Sequence, residues 1–188
     1  MKNRIDSKIL SIRSDNRPTL VPYLTVGYPG IEESADIALK VLESGADMLE
    51  LGIPFSDPIA DGPTIQKTSF KALENGVSLA VCMDVLTTIR QSDDSSPIIF
   101  MGYFNPFLQY GFESFLSEAS KRGLDGLIIP DLPMEESEAI SRQCMENGIH
   151  HIPLLAPTST EERIKQSCEH AGGFIYCVSL TGVTGARD

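Results

Sequence analysis

The chain has 188 residues, 41% of them hydrophobic, a length and apolar content that suit one soluble globular domain. Fifteen Lys and Arg against 26 Asp and Glu leave a net charge of −11, and no basic cluster stands out, which argues against binding nucleic acid or anionic lipid. No run approaches the roughly 20 apolar residues of a membrane span, and Met1-Lys2-Asn3-Arg4-Ile5-Asp6 lacks the apolar stretch of a signal peptide, so a cytoplasmic protein is expected.

Six short apolar runs are predicted as strands: Leu20 to Val26, Met48 to Ile53, Ile98 to Phe104, Leu127 to Ile129, Ile152 to Ala156 and Phe174 to Leu180. Each is apolar on both alternating faces, as in a strand covered on both sides. Helical spacing falls between them, at Ile37, Val41 and Leu42, then Leu79, Cys82, Leu86 and Ile89. It recurs at Phe112, Phe115, Leu116 and Ala119, at Ile140 and Cys144, and at Ile164, Cys168 and Ala171. Gly45, Gly123, Gly148 and Gly172 punctuate four helix ends, where glycine accepts the left-handed conformation. Ser159, with Glu162 three residues on, predicts a capping box that opens the fifth helix. The count is six βα units, or five and a half, in a single domain without linker or low-complexity tract.

Alternating parallel units close into a barrel or spread into a doubly wound sheet, and periodicity does not separate the two. The turn Gly27-Tyr28-Pro29-Gly30 carries no G-x-G-x-x-G dinucleotide signature. A closed barrel usually needs about 250 residues, so a barrel built from this chain lacks two units.

Chemistry in such folds gathers past the carboxyl ends of the strands. The densest segment is Glu50 to Pro63. Strand alternation puts Met48, Glu50 and Gly52 on one face and Leu49, Leu51 and Ile53 on the other. A carboxylate among apolar neighbours is costly unless paired, hydrogen-bonded or protonated. Glu50 is therefore either a proton shuttle of raised pKa or a structural Glu held by an Arg or by backbone amides. Asp61 follows eleven positions later, on a loop stiffened by three prolines and a glycine; Asp57 and Asp61 each also fit a plain turn role. Thr181-Gly182-Val183-Thr184-Gly185 is a weak phosphate-cradle signal. Tyr23, Tyr103 and Tyr176 fall in strands one, three and six, and either line the mouth or pack the core.

The remaining features read as structural. Asp131 either reaches the mouth or bonds loop amides. Glu135, Glu136 and Glu138 favour a helix start. His150 and His151 precede a strand at the end away from chemistry, as surface or packing residues, and His170 lies in the fifth helix. Cys82, Cys144, Cys168 and Cys177 are too dispersed for a zinc site or disulfide framework, and no metal site is signalled.

The long segment Leu49 to Gln66 strongly resembles the signature of the tryptophan synthase α subunit family. Agreement in order and place extends to Pro22-Tyr23-Leu24-Thr25-Val26-Gly27-Tyr28-Pro29, Met101-Gly102-Tyr103-Phe104-Asn105-Pro106, Pro130-Asp131-Leu132-Pro133 and Tyr176-Cys177-Val178-Ser179, leading into Gly182-Val183-Thr184-Gly185. The resemblance implies a TIM (β/α)8 barrel, of which residues 1–188 hold about six of the eight units as one domain. It implies a lyase of tryptophan biosynthesis that splits indole-3-glycerol phosphate into indole and glyceraldehyde 3-phosphate by retro-aldol cleavage, with no metal or organic cofactor in this subunit.

Glu50 then matches the acid/base residue and Asp61 the carboxylate that holds the indole N–H. Thr184 resembles the residue that meets Asp61 on loop closure, and Gly185 part of the phosphate cradle, while Tyr23, Met101, Tyr103, Ile128 and Tyr176 line the indole pocket. The implied partner is a pyridoxal-phosphate β subunit in an α2β2 heterotetramer, faced by Asp57, Pro58 and Asn105. Tyr23 departs from the Phe frequent in the family, and the seventh and eighth strands are absent, so a partial form is expected. Two other readings compete: a catalytically impaired fragment that docks on the β subunit, and another phosphate-binding barrel enzyme.

Overall fold

Strands apolar on both faces need cover on both sides, and the computed structural model supplies it by curving a parallel sheet with helices outside. The structure describes residues 3–132 and 134–178. The wall begins with β1 (Tyr23–Thr25), β2 (Leu49–Gly52), β3 (Ile98–Met101), β4 (Gly126–Ile128) and β5 (His150–His151), all parallel and adjacent in chain order. The pair β6 (Leu154–Leu155) and β7 (Tyr176–Cys177) continues it.

The predicted strand Ile152 to Ala156 is thus corrected: two short ladders, β5 and β6, flank Pro153. Proline has no N–H to donate, so the ladder hands over there. The Ile152 N–H still donates to Leu127 O on one side at 2.9 Å, while Pro153 O accepts from Tyr176 N on the other at 3.0 Å. His150 and His151 accordingly form a strand rather than precede one. His151 is buried with its Nδ1 2.7 Å from Ser141 Oγ, and burial lowers its pKa to about 4.

Helices α2 (Ile31–Glu43), α3 (Pro63–Glu74), α4 (Leu79–Ser92), α5 (Phe104–Tyr110), α6 (Phe112–Lys121), α7 (Met134–Glu146) and α8 (Glu161–His170) follow the strands, and α1 (Arg4–Ser14) precedes them. The sequence pattern missed α1, α3 and α5. Ile5, Ile9 and Ile12 at four- and three-residue spacing, with Asn3 accepting from Ile5 N, were the signal for α1. No single helix is long and apolar enough to cross a membrane among the described residues.

Alternation along β2 works as predicted. Leu49, Leu51 and Ile53 join the large cluster between sheet and helices, whereas Met48 packs inside the wall with Ile99, Ile128, Ile152 and Ile5. The architecture is therefore an incomplete (β/α) barrel whose amino end is plugged by α1. Gly45, Gly123 and Gly148 adopt positive φ as expected; at the fourth helix end it is Gly173, φ 71°, rather than Gly172. The fifth cap is Thr160, accepting from Arg163 N at 3.2 Å, while Ser159 Oγ accepts from Ala156 N in the preceding turn.

One buried carboxylate ties the amino end together. Asp125 accepts from Arg4 Nη1 at 2.9 Å, Arg90 Nη2 at 2.6 Å and Ile98 N at 2.8 Å, joining α1, α4, β3 and the start of β4. Removing one member of a buried ionic cluster leaves the others unpaired. Asp125→Asn is expected to cost about 3 kcal/mol, measured as a lower urea midpoint at unchanged slope. Lys71→Ala, which removes an exposed pair with Glu74, should cost under about 0.5 kcal/mol.

Candidate active site

The inward face of β2 places Glu50 two positions beyond Met48, near the carboxyl end of the wall. Its side chain is buried, with 5% exposure for the residue. Among the described residues no donor bonds its carboxylate, so the structural alternative of an Arg or amide clamp is set aside for them. Burial raises its pKa to about 7, and the charge of Asp61 adds to the rise. A carboxyl near 7 holds and releases a proton at neutral pH.

Asp61 stands on the loop between β2 and α3, and that loop is held at several points. Tyr103 Oη donates to Asp61 Oδ2 at 3.2 Å and accepts from Ala60 N at 2.9 Å. Gln66 Nε2 donates to Asp61 O at 2.9 Å, and Phe55 N donates to Ser69 Oγ at 3.0 Å. Phe55 and Tyr103 also pack ring against ring at 5.3 Å. Desolvation raises the Asp61 pKa, opposed by the Tyr103 hydrogen bond. Ser69 and Gln66 were missed from the sequence because they lie on α3, for which no helical spacing was read.

The tyrosines divide. Tyr23 lies in β1 opposite Glu50, and Tyr176 in β7. The Tyr176 phenol is raised by burial and by the charge of Glu50, so these groups share one mouth. Tyr103 is not in the third strand; it is the N-cap residue of α5. Asp131 supports it from β4's end by accepting from Phe104 N at 2.9 Å, the loop-amide reading of that residue. Met101 borders the interior cluster and Ile128 is fully buried within it.

Asp57 and Asn105 are exposed, while Pro58 is buried. Beside them Ile59 and Leu108 expose apolar surface, at 78% and 51%. Thr184 and Gly185, with the rest of the Thr181 to Gly185 turn, lie outside the described residues. A separate cavity of about 440 Å³ lies between α7 and α8, lined by His151, Arg163 and His170 and away from Glu50. Among the described residues, no three His, Cys, Asp or Glu side chains converge as metal ligands.

The family model described as "Tryptophan synthase alpha chain" matches residues 9–188. The tryptophan synthase alpha chain of Thermoanaerobacter pseudethanolicus is 49% identical over 186 residues, 99% of this chain and 70% of that relative. The one from Roseiflexus castenholzii is 48% identical, covering 98% of this chain and 71% of its own length. Among solved structures, tryptophan synthase subunit alpha from Legionella pneumophila superposes with a TM-score of 0.93 at 39% identity, covering 95% of this chain and 68% of that one. Tryptophan synthase from Mycobacterium tuberculosis superposes with a TM-score of 0.92 at 36% identity, covering 100% and 72%.

Because the Asp61 charge helps to hold Glu50 near 7, Asp61→Asn is expected to lower the Glu50 pKa, though not to the ordinary Glu value, since burial remains. Titration of the Glu50 carboxyl by carbon-13 NMR checks this; an unchanged midpoint would show that the two carboxylates do not sense each other.

Proposed function

The chain belongs to the tryptophan synthase alpha chain family, and from that membership we propose that it cleaves indole-3-glycerol phosphate to indole and glyceraldehyde 3-phosphate. The observation that carries the reading is Glu50: a buried carboxyl without a donor among the described residues, facing the same mouth as Asp61.

The bond between indole C3 and the glycerol chain breaks only if C3 becomes a competent leaving group. Glu50 in its protonated form delivers a proton to C3, which places positive charge on the ring. Asp61 accepts a hydrogen bond from the indole N–H and stabilises that charge. The resulting Glu50 carboxylate takes the proton from the hydroxyl on the neighbouring glycerol carbon. That hydroxyl becomes the aldehyde as the carbon–carbon bond electrons pass to the ring. One proton enters at C3 and one leaves the hydroxyl, so atoms and electrons balance within the substrate and Glu50, and no organic cofactor or metal is assigned to this subunit. Tyr23, Met101, Tyr103, Ile128 and Tyr176 supply the apolar and aromatic walls for the indole. Thr184 is assigned to the closure over Asp61 and Gly185 to the phosphate.

The partner in this reading is the tryptophan synthase β subunit, with pyridoxal phosphate on that subunit and an α2β2 stoichiometry. Exposed Asp57 and Asn105, with the apolar Ile59 and Leu108 beside them, suit a protein interface around the buried Pro58. A cytoplasmic location accords with the acidic composition and the biosynthetic role.

Indole release with and without added β subunit tests the reading. Glu50→Gln is expected to lower kcat by about 10²-fold or more while KM stays nearly unchanged, since shape is kept and the proton is lost. Equal turnover in the two proteins would remove Glu50 from the mechanism. As the starting form is protonated, kcat/KM should fall as pH rises through about 7, the direction set by the Glu50 pKa.

A further inference from the structure

Tyr103 makes contacts that an aromatic wall does not require, and its backbone is fixed on both sides. Before it, Gly102 N donates to Ile128 O at 3.1 Å, and an added Cβ on Gly102 would come within 2.9 Å of Ile53 Cβ and 3.0 Å of Phe107 Cζ. After it, Phe104 N donates to Asp131 Oδ1 at 2.9 Å. The ring is buried and packs on Phe55. From this rigid base the phenol reaches out to a loop whose own residues, Ile59 and Ala60, are exposed.

The two phenol contacts fix the direction of its proton. A backbone N–H can only donate, so in the 2.9 Å contact with Ala60 N the phenol oxygen accepts. Its single hydrogen then serves Asp61 Oδ2 at 3.2 Å, and Asp61 is the acceptor. Burial disfavours ionisation of the phenol, and the charge of Asp61 adds to that, so it stays a donor. An acceptor is what the reaction asks of Asp61: the ionised carboxylate takes the indole N–H and offsets charge on the ring, whereas a protonated one offsets none. Desolvation works against the ionised form, and the phenol hydrogen bond works for it. The other titratable groups of this mouth are Glu50 on β2, Tyr23 on β1 and Asp131 after β4. None of these three carries positive charge, so none of them favours the Asp61 anion.

We propose that Tyr103 is a positioning residue for the cleavage reaction, whose phenol ties the Asp61 loop to the barrel through Ala60 N and holds the Asp61 carboxylate ionised and oriented for the substrate's N–H. The inference rests on the proposed function and deepens it. A phenylalanine at position 103 would keep the ring packing on Phe55 and lose both hydrogen bonds. Ala60 is exposed, so water replaces the phenol at its N–H, and the fold is kept.

The experiment compares the full chain with Tyr103→Phe by two readouts. The first is titration of the Asp61 carboxyl by carbon-13 NMR, its signal assigned by its loss in Asp61→Asn. Removing a donor that favours the anion raises the pKa, so the Asp61 midpoint is expected to move up in Tyr103→Phe. The second is kcat/KM for indole-3-glycerol phosphate, with the β subunit present, across pH. The deficit of Tyr103→Phe is expected to widen by about fivefold, the worth of one hydrogen bond, as pH falls from about 7 to about 5. The fall above neutrality, set by Glu50, should stay where it is. An Asp61 midpoint that does not move overturns the inference. So does a deficit that is the same at every pH, which would make the phenol a matter of shape. An unsubstituted chain that releases no indole overturns the proposed function, and this inference with it. A working unsubstituted chain beside an unmoved Asp61 midpoint in Tyr103→Phe overturns this inference alone.

Discussion

Because β2 is covered on both faces, every side chain along it has to be either an outward contact with the helices or an inward one with the barrel interior. Leu49, Leu51 and Ile53 take the outward positions, and that choice forces Glu50 inward with Met48 and Gly52. The burial that stabilises the sheet is the same burial that lifts the Glu50 carboxyl to about 7. Cost to stability and fitness for proton transfer are here one quantity, read at two levels. Gly52 completes the arrangement, since the space it leaves is filled by Tyr23.

The second carboxylate is placed by different means. Asp61 is on a loop, and a loop is positioned by hydrogen bonds rather than by a sheet register. Ser69 holds its beginning at Phe55; Tyr103 and Gln66 hold its end at Ala60 and Asp61. Tyr103 is itself set at the start of α5, whose first amide after the cap is bonded by Asp131. The α3 residues Ser69 and Gln66, together with Tyr103, thus hold one loop, while Ile59, between the two clamped ends, stays in solvent.

Stability and chemistry sit at opposite ends of the wall. The amino end is closed by Ile5 and Ile9 of α1 and by Asp125, whose charge is matched by Arg4 and Arg90. The carboxyl end carries Glu50, a carboxyl with no such match among the described residues. A buried acid that is paired serves structure, and one that is left unpaired is available for reaction.

Strand and helix alternation, the face that Glu50 shares with Met48 and Gly52, and the helix-ending role of Gly45, Gly123 and Gly148 were all legible in the sequence. Each follows from a period of two or 3.6 or from the backbone freedom of one residue, and such properties are local. The family, too, was legible, since the Leu49 to Gln66 segment matches as a continuous string. Other features depended on partners far along the chain. Pro153 passes the ladder from β4 to β7, a consequence of which neighbours flank it. Asp131 serves α5 rather than the mouth, Tyr103 leaves its strand to hold the Asp61 loop, and Ser69 and Gln66 became visible only once α3 was seen to begin at Pro63. By itself the sequence determined which residues share a face and which chemistry they bring, because pleat and polarity are written residue by residue. Only the tertiary structure decided which buried carboxylate lacks a donor among the described residues, because that depends on what long-range folding sets beside it.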